Sequence, residues 1–131
     1  MGATYLLDTN AVIYFLDAIL SEKAMDFIEN RLDETGSFIS VISKIELLGW
    51  QAPSIHAMRQ VEKFVADSHI VSLTDEIVEK TIELKQNQKI KLPDAVIAAT
   101  ALVNGFILIS RNDDDFRKIP NLKYLNPFSD I

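Results

Sequence analysis

The sequence contains no cysteine and no apolar run of about 18 residues or more, the length that a membrane span requires. Without cysteine the chain has neither a disulfide framework nor a thiolate nucleophile, which favours a cytosolic protein. The first residues also lack the basic segment and the apolar core of a secretory leader. We therefore predict a cytoplasmic protein without membrane attachment.

The residues used by several common kinds of catalysis are also scarce. There is no glycine-rich phosphate loop and no serine in a nucleophile elbow. The two histidines, His56 and His69, lie in ordinary surface-helix and pre-strand contexts, where a structural role is expected. The formal net charge of −6 argues against a nucleic-acid binder that works by bulk attraction. An acidic protein of this kind can act on RNA if divalent cations neutralise its site and a local basic edge holds the strand.

What is present is a chain suited to one domain, residues 1–131, since 131 residues is an ordinary domain length and no repeat or linker interrupts them. Short apolar segments alternate with amphipathic ones, which predicts a mainly parallel sheet covered by helices on both faces. The predicted class is therefore α/β, a three-layer α/β/α domain. Predicted strands occupy 5–7, 37–40, 70–73, 106–110 and 122–125; helices occupy 11–18, 21–35, 43–48, 56–67, 74–88 and 94–104.

Several details of this arrangement can be checked against a structure. The segment 106–110 is the most apolar strand and is predicted to be central, whereas 122–125 is predicted to form an edge. Ser43 and Glu46 have the spacing of a capping box, which predicts a helix beginning there. Residues 111–115 are predicted to form a polar, acid-rich loop.

Four acids have positions that suit chemistry: Asp8, Glu46, Asp94 and Asp115. Asp8 ends the first strand, and ligands of parallel α/β sheets bind beyond the carboxyl ends of strands. Each acid also has a plain structural interpretation. Asp8 could cap a helix, Glu46 could complete a capping box, and Asp94 could be a helix-start acid. The 112–115 segment could be a solvated run of charge, but the rim of the sheet could bring all four acids together.

Clustered carboxylates repel one another, and their convergence is best explained by a divalent cation at the centre. Mg²⁺ and Mn²⁺ prefer hard oxygen ligands. Such an ion lowers the pKa of a bound water and stabilises the charge that builds on a phosphate, and two ions about 4 Å apart can serve both the attacking and the leaving oxygen. A Mg²⁺- or Mn²⁺-dependent hydrolase is thus one prediction from the acids.

Four ordered segments of the sequence resemble the PIN-domain family, and within it the VapC-type toxins of bacterial toxin–antitoxin pairs. The segments are LDTN at 7–10, SKIELL at 43–48, LPDAVIAATA at 92–101 and LISRNDDDF at 108–116. Each is weak alone, but the ordered set is specific and extends over most of the chain. The resemblance implies a small α/β/α domain and a Mg²⁺- or Mn²⁺-dependent ribonuclease that hydrolyses RNA phosphodiester bonds.

The resemblance also implies roles for individual residues. It makes Asp8, Glu46 and Asp94 metal ligands and catalytic residues, with Asp115 the favoured fourth. Supporting positions are Thr9 and Asn10 in the turn that orients the first acid, Ser110 as a hydroxyl that shapes the site, and Asn112 and Asp113 beside Asp115. Possible RNA contacts are Lys44, Lys85, Lys89, Lys91 and Arg111, although the three lysines at 85–91 could equally form a solvated helix end.

The same resemblance implies protein partners. A cognate antitoxin would lay an apolar segment in a groove near Leu47, Leu48 and Trp50 and place a basic side chain among the acids, although Trp50 could simply belong to the core. Homodimers are usual in the family.

Two alternatives stay open at this point. One is a non-catalytic PIN-like module that binds RNA or protein. The other is a phosphatase with Asp8 as nucleophile, although that class normally has a second Asp two residues later, where Asn10 stands.

Overall fold

A computed structural model describes residues 3–131 of the chain. Its centre is a sheet of five strands in the order β3-β2-β1-β4-β5, and every neighbouring pair is parallel. The strands are β1 (Tyr5–Leu7), β2 (Phe38–Ser40), β3 (His69–Val71), β4 (Ile107–Ile109) and β5 (Tyr124–Leu125). The predicted parallel sheet is confirmed.

Within residues 3–131, seven helices connect and cover the strands. They are α1 (Thr9–Leu16), α2 (Glu22–Thr35), α3 (Val41–Leu48), α4 (Ile55–Asp67), α5 (Asp75–Asn87), α6 (Leu92–Asn104) and α7 (Asp113–Phe116). None of the helices within residues 3–131 is long and apolar enough to cross a membrane.

The sheet separates two apolar clusters, because successive side chains of a strand point to opposite faces. Leu6 of β1 and Leu108 of β4 pack in one cluster with residues of α5 and α6. Their neighbours Leu7 and Ile109 pack in the other, with residues of α1, α2 and α4. Helices therefore cover both faces, which confirms the predicted three-layer α/β/α fold.

The register of the inner strands decides where the polar residues meet. Leu7 of β1 is paired with Ile109 of β4, so the residues that follow, Asp8 and Ser110, emerge side by side. The Asp8 amide donates to the Ile109 carbonyl at 3.0 Å, which continues the ladder by one step. The carboxyl ends of β1 and β4 thus form one rim, as parallel pairing requires.

Two expectations about local structure are wrong. Helix α3 begins at Val41 rather than at Ser43, because Ser40 is its N-cap and accepts a hydrogen bond from the Ser43 amide at 3.1 Å. Ser43 and Glu46 therefore do not form a capping box. The serine that caps the helix is the last residue of β2, so strand and helix are joined without a loop. Glu46 is left in the second turn, where its carboxylate can face outward.

The region after β4 also differs from expectation. Residues 113–116 form the short helix α7 rather than part of a loop, because the Asn112 side chain accepts from the Asp115 amide at 3.4 Å and caps it. Strand β4 lies between β1 and β5, and β1 is the middle strand of the five. The prediction that 122–125 contributes an edge strand is confirmed by β5.

Candidate active site

Asp8 is a carboxylate held almost out of solvent, with 6% of the residue exposed. It caps α1 through Oδ1, which accepts from the Thr9 amide at 2.8 Å. Burial raises the pKa of Asp8 above its usual range, and its hydrogen bonds to Ser110 and Thr9 only partly offset that rise. The residue is therefore both a helix cap and a buried acid with a raised pKa, so its capping role does not exclude a chemical one.

Ser110 is the residue that fixes the other oxygen of Asp8. Its hydroxyl donates to Asp8 Oδ2 at 2.8 Å across a sequence separation of 102 residues. The same Oγ accepts from the Asn112 amide at 3.0 Å, which orients the hydroxyl proton toward the carboxylate. Ser110 is itself 1% exposed. It therefore acts as a rigid link between the first acid and the segment after β4.

Glu46 reaches the site through Thr9. The Thr9 hydroxyl donates to Glu46 Oε1 at 2.5 Å and lies 3.0 Å from the Oγ of Ser43. Ser43 is fully buried, so its hydroxyl has in Thr9 the partner that a buried polar group needs. Because the Thr9 amide also bonds to Asp8, this one residue connects the first and second acids. The sequence analysis placed Thr9 in the turn, whereas it assigned Ser43 only to a capping box and not to the site.

Asp94 comes from the first turn of α6 and is partly buried. Burial above all, followed by repulsion from neighbouring carboxylates, raises the pKa of Asp94 from 3.8 to about 6. In decreasing order of effect these carboxylates belong to Asp8, Asp115 and Glu46. Acids that lie far apart in the sequence are thus close enough in space to sense one another's charge.

The three acids line one cavity of about 580 Å³ at the rim of the sheet. Asn10, Ser110 and Asn112 add further oxygen and amide groups to its wall. Ile13, Tyr14 and Trp50 form an apolar side of the same cavity. We call this cavity the acid cleft.

The two remaining acids of the predicted set are placed differently. Asp115 accepts a hydrogen bond from Nδ2 of the Asn112 side chain at 2.9 Å and its charge contributes to the raised pKa of Asp94, but it lines the neighbouring groove rather than the acid cleft. Asp113 faces away from both. Its Oδ1 lies 2.7 Å from the Tyr124 hydroxyl and 3.1 Å from Nδ2 of Asn126. Of the residues after β4, Ser110, Arg111 and Asn112 line the cleft, and Asp115 is joined to it by its hydrogen bond with Asn112.

The predicted cations are also divided between surfaces. Arg111 lines the acid cleft, and its guanidinium lies 4.1 Å from the ring centroid of Phe128. Lys85, Lys89 and Lys91 line the separate groove that Asp115 faces. Lys44 is exposed on α3 and does not line the acid cleft.

The donor chemistry of the cleft suits a hard divalent cation. Its carboxylate, hydroxyl and amide oxygens are the ligands that Mg²⁺ and Mn²⁺ prefer. Within residues 3–131, however, no three acidic or histidine side chains stand close enough together to form a complete metal-binding group. Because Mg²⁺ usually keeps several waters and takes few carboxylates directly, the cleft fits such an ion without a closed protein cage.

Some residues of the cleft were not singled out by the sequence. Ile13 and Tyr14 were assigned to a helix without a role, yet both line the cavity with Asn10. The spacing of these residues on α1, at i, i+3 and i+4, places them on one face and could have indicated this. Of the residues expected near an antitoxin groove, Leu47 is fully buried, Leu48 is exposed, and Trp50 lines the acid cleft and packs against the apolar cluster beneath it.

Comparisons with known proteins agree with this architecture. Residues 5–122 match the family model described as the PIN domain. A chain of a toxin–antitoxin complex from Klebsiella pneumoniae is 28% identical, with 95% of this chain and 98% of that chain covered and a TM-score of 0.73. A chain of VapBC-1 from nontypeable Haemophilus influenzae is 25% identical, with 95% and 98% covered and a TM-score of 0.72.

A third structure extends the similarity of fold. A chain of VapBC2 from Rickettsia felis, bound to a DNA fragment from the promoter, is 23% identical, with 94% and 98% covered and a TM-score of 0.76. The comparison with curated proteins gives no match. The shared fold spans nearly the whole length of both chains in each of the three structural pairs.

Proposed function

The chain belongs to the PIN-domain family, and from that premise we propose that it is a VapC-type toxin that cleaves RNA. The structures at 28% and 25% identity are chains of a toxin–antitoxin complex and of VapBC-1, and each is covered almost completely. We propose the same kind of protein here, the endoribonuclease of a type II toxin–antitoxin pair.

The observation that carries this proposal is the convergence of Asp8, Glu46 and Asp94 on one cleft. These acids come from a strand end, the middle of α3 and the start of α6. Their mutual repulsion contributes to the raised pKa of Asp94, so the fold accepts a cost in stability to bring them together. A cost of this kind is typical of sites selected for chemistry rather than for packing.

We propose that Asp8, Glu46 and Asp94 hold Mg²⁺ or Mn²⁺. A bound divalent ion of this kind supplies charge for the phosphate in its transition state and lowers the pKa of an attacking water. The residues of the chain then act around it. Ser110 and the Thr9 amide keep the Asp8 carboxylate oriented, and the Thr9 hydroxyl does the same for Glu46.

Asp115 has a less direct role in the proposed metal site than the three acids of the cleft. It is our choice for a fourth acid, with Asn112 assisting, because Asn112 holds its carboxylate and Asp94 senses its charge. Asp113 is assigned a structural role instead, since Tyr124 and Asn126 already occupy its Oδ1.

The substrate we propose is RNA, whose phosphates need cations near an acidic cleft. Arg111 is suitably placed on the cleft wall. The lysines of the adjoining groove are considered separately below.

The partner we propose is a cognate antitoxin protein. Ile45 and Leu48 of α3, close in sequence to Glu46 and Trp50, and Ile55 at the start of α4 are exposed apolar residues. An apolar antitoxin segment would cover them, and a basic side chain of that segment would pair with the acids of the cleft. We also propose one domain over 1–131, a homodimer and a cytoplasmic location.

Incubation of the purified chain, freed of any antitoxin, with total RNA and Mn²⁺ tests the ribonuclease directly. We expect discrete cut ends that disappear with EDTA and with Asp8→Asn. Intact RNA under all conditions, with the fold preserved, would instead support a non-catalytic module. A covalent aspartyl-phosphate would support the phosphatase, an outcome disfavoured by the two hydrogen bonds that already engage both oxygens of Asp8.

A further inference from the structure

A groove of about 710 Å³ adjoins the acid cleft and has the opposite charge. Four lysines and two aspartates line it, a formal charge of +2, although the whole chain carries −6. The charged residues of this lysine groove are Lys85, Lys89, Lys91, Lys118, Asp114 and Asp115. A concentration of 4 of the chain's 13 basic residues in one concave surface is a local attractor for anions.

The loop between α5 and α6 is braced on both sides by lysines. Lys85 Nζ donates to the Ile90 carbonyl at 2.6 Å, and Lys118 Nζ donates to the Lys89 carbonyl at 3.0 Å. The side chains of Lys89 and Lys91 form no hydrogen bond or ion pair with any other described residue of 3–131. The groove thus has a fixed backbone and two lysines with all three donors available.

The groove and the acid cleft share a wall. Asp115 lines the groove, and its carboxylate accepts a hydrogen bond at 2.9 Å from Nδ2 of Asn112, which lines the cleft. On the other side, Lys91 is the N-cap residue of the helix whose first turn carries Asp94. A strand whose reacting phosphate lay in the cleft would therefore have its neighbouring phosphates within reach of the groove.

We propose that the lysine groove binds the phosphate backbone of single-stranded RNA on one side of the cleavage site. This rests on the proposed ribonuclease function and gives it a direction, because the strand would run from the acid cleft past Asp115. Lys89 and Lys91 contact the phosphates, and Lys85 and Lys118 hold the loop that carries them. No aromatic side chain lines the groove, so it holds backbone and does not select bases.

The test compares two double variants with the same change in charge. Lys89→Gln/Lys91→Gln removes the two available cations, and Lys23→Gln/Lys63→Gln removes two exposed lysines on α2 and α4. Binding of a fluorescein-labelled single-stranded RNA of about 12 nucleotides is measured by anisotropy in EDTA at several salt concentrations. For the groove variant we expect about tenfold weaker binding near 0.1 M salt, and a slope of log K against log salt that is smaller by about 1.4. The control variant should stay within about twofold of the parent. An equal loss in both variants, or no loss in either, overturns the proposal.

Steady-state cleavage separates strand binding from an effect on the acids. With the 12-nucleotide substrate, the groove variant should raise KM about tenfold and leave kcat unchanged, while a dinucleotide should be cleaved as by the parent chain. A fall in kcat on the dinucleotide would mean that the lysines act on the acid cleft, which contradicts the proposal. A parent chain that binds RNA in EDTA but never cleaves it would refute the ribonuclease, and the binding comparison would still decide the groove.

Asp114→Asn provides the opposite change on the same surface. Removal of an exposed negative charge from the groove should tighten RNA binding about twofold and steepen its salt dependence. Weaker binding by this variant would count against a phosphate path along the groove.

Discussion

The acid cleft and the C-terminal cluster, which contains Asp113 and Asp130, place carboxylates in opposite electrostatic environments. In the C-terminal cluster, Asp130 accepts from Nη2 of Arg117 at 2.7 and 2.9 Å and from the Asn126 amide at 2.7 Å. Those hydrogen bonds, that of the backbone amide first, lower the pKa of Asp130 below its usual range. Asp113 is similar, since its hydrogen bonds to Tyr124 and Asn126 lower its pKa.

In the acid cleft, Asp8 and Glu46 accept hydrogen bonds from Thr9 and Ser110, but burial outweighs these bonds at Asp8, whose pKa stays raised. Neither Arg nor Lys pairs with Asp8, Glu46 or Asp94 among the ion pairs of residues 3–131. Burial and mutual repulsion raise the pKa of Asp94 to about 6. Asp113 and Asp130 are thus paired with Arg117, whereas the acids of the cleft share a cavity without an ion-pair partner among the described residues, an arrangement typical of functional sites.

The largest expected effect is the loss of RNA cleavage when Asp94 of the acid cleft is replaced. Asp94→Asn keeps the size of the side chain but removes a charge that we propose holds the metal. We expect cleavage of RNA with Mn²⁺ to fall by about 10²–10³-fold, which corresponds to the loss of several kcal/mol of transition-state stabilisation. Initial rates measured with a defined RNA, at equal protein concentration, check this result.

Asp113→Asn is the matched control for that change, because it alters the same residue type in the other region. Its carboxylate contacts Tyr124 and Asn126 and not the cleft, so cleavage should stay within a few-fold of the parent. Equal losses for Asp94→Asn and Asp113→Asn would remove the distinction between the two regions.

A smaller effect is expected at Ser110, which contacts both regions. Its hydroxyl donates to Asp8, and its carbonyl oxygen lies 2.9 Å from the Tyr124 hydroxyl. Ser110→Ala deletes the bond that favours the charged form of Asp8, so the pKa of Asp8 should rise further. We expect a loss of about 10–100-fold in cleavage rate at neutral pH, typical of removing a group that orients a metal ligand. The diagnostic measurement is the pH–rate profile, whose acidic limb should move to higher pH; a uniform loss at all pH values would argue for a packing defect.

Much of the fold could be predicted because the strands are short apolar segments with clear boundaries. Gly105 illustrates this, since it follows α6 in the left-handed conformation with φ +67°, as a glycine after a periodic segment predicts. The start of α3 could not be predicted locally, because Ser40 and Ser43 are both suitable caps. Ser40 is selected by the parallel pairing of β2 with β3, which ends at Ser40 and Val71. Contacts between strands therefore decided which of two equally suitable serines caps the helix.

Only part of the candidate site could be predicted from the sequence. Asp8 and Asp94 stand at the end of a strand and the start of a helix, and such positions can be identified in the sequence. The division between Asp113 and Asp115 could not be, because both lie in one acidic run. Their separation depends on α7, which places Asp115 within hydrogen-bond distance of Asn112 and Asp113 within hydrogen-bond distance of Tyr124 in β5.

Tyr124→Phe tests how much the hydrogen bonds of the C-terminal cluster contribute to stability. The Tyr124 hydroxyl lies within hydrogen-bond distance of Asp113 Oδ1 and the Ser110 carbonyl, so its removal costs one partly buried hydrogen-bonding group. We expect unfolding to require about 1 kcal/mol less free energy, as measured by urea denaturation at pH 7. Cleavage should change little unless Ser110 shifts. A variant as stable as the parent would show that these bonds merely replace equivalent bonds to water.

The smallest effect concerns the pH dependence of stability, for which the two regions have opposite signs. Because the pKa of Asp94 is raised from 3.8 to about 6, the folded state holds a proton that the unfolded state has released between these values. Its contribution to stability therefore falls as pH rises from 3.8 to 6 and is constant above. The lowered pKa values of Asp113 and Asp130 act the other way, with stability present above pH 3.8 and lost as pH falls further.

Asp94→Asn isolates the cleft contribution, since Asn carries no charge at any pH. In EDTA, parent and variant should be equally stable near pH 3.5, and the variant should be more stable by about 1 kcal/mol at pH 7, with solvent screening reducing the full value for a half-exposed carboxylate. Urea denaturation at intervals of half a pH unit measures the difference. A difference that does not change with pH would place its origin in packing. One that grows between pH 4 and 6 would show that repulsion in the cleft opposes folding, which is the property that separates it from the matched acids near the C-terminus.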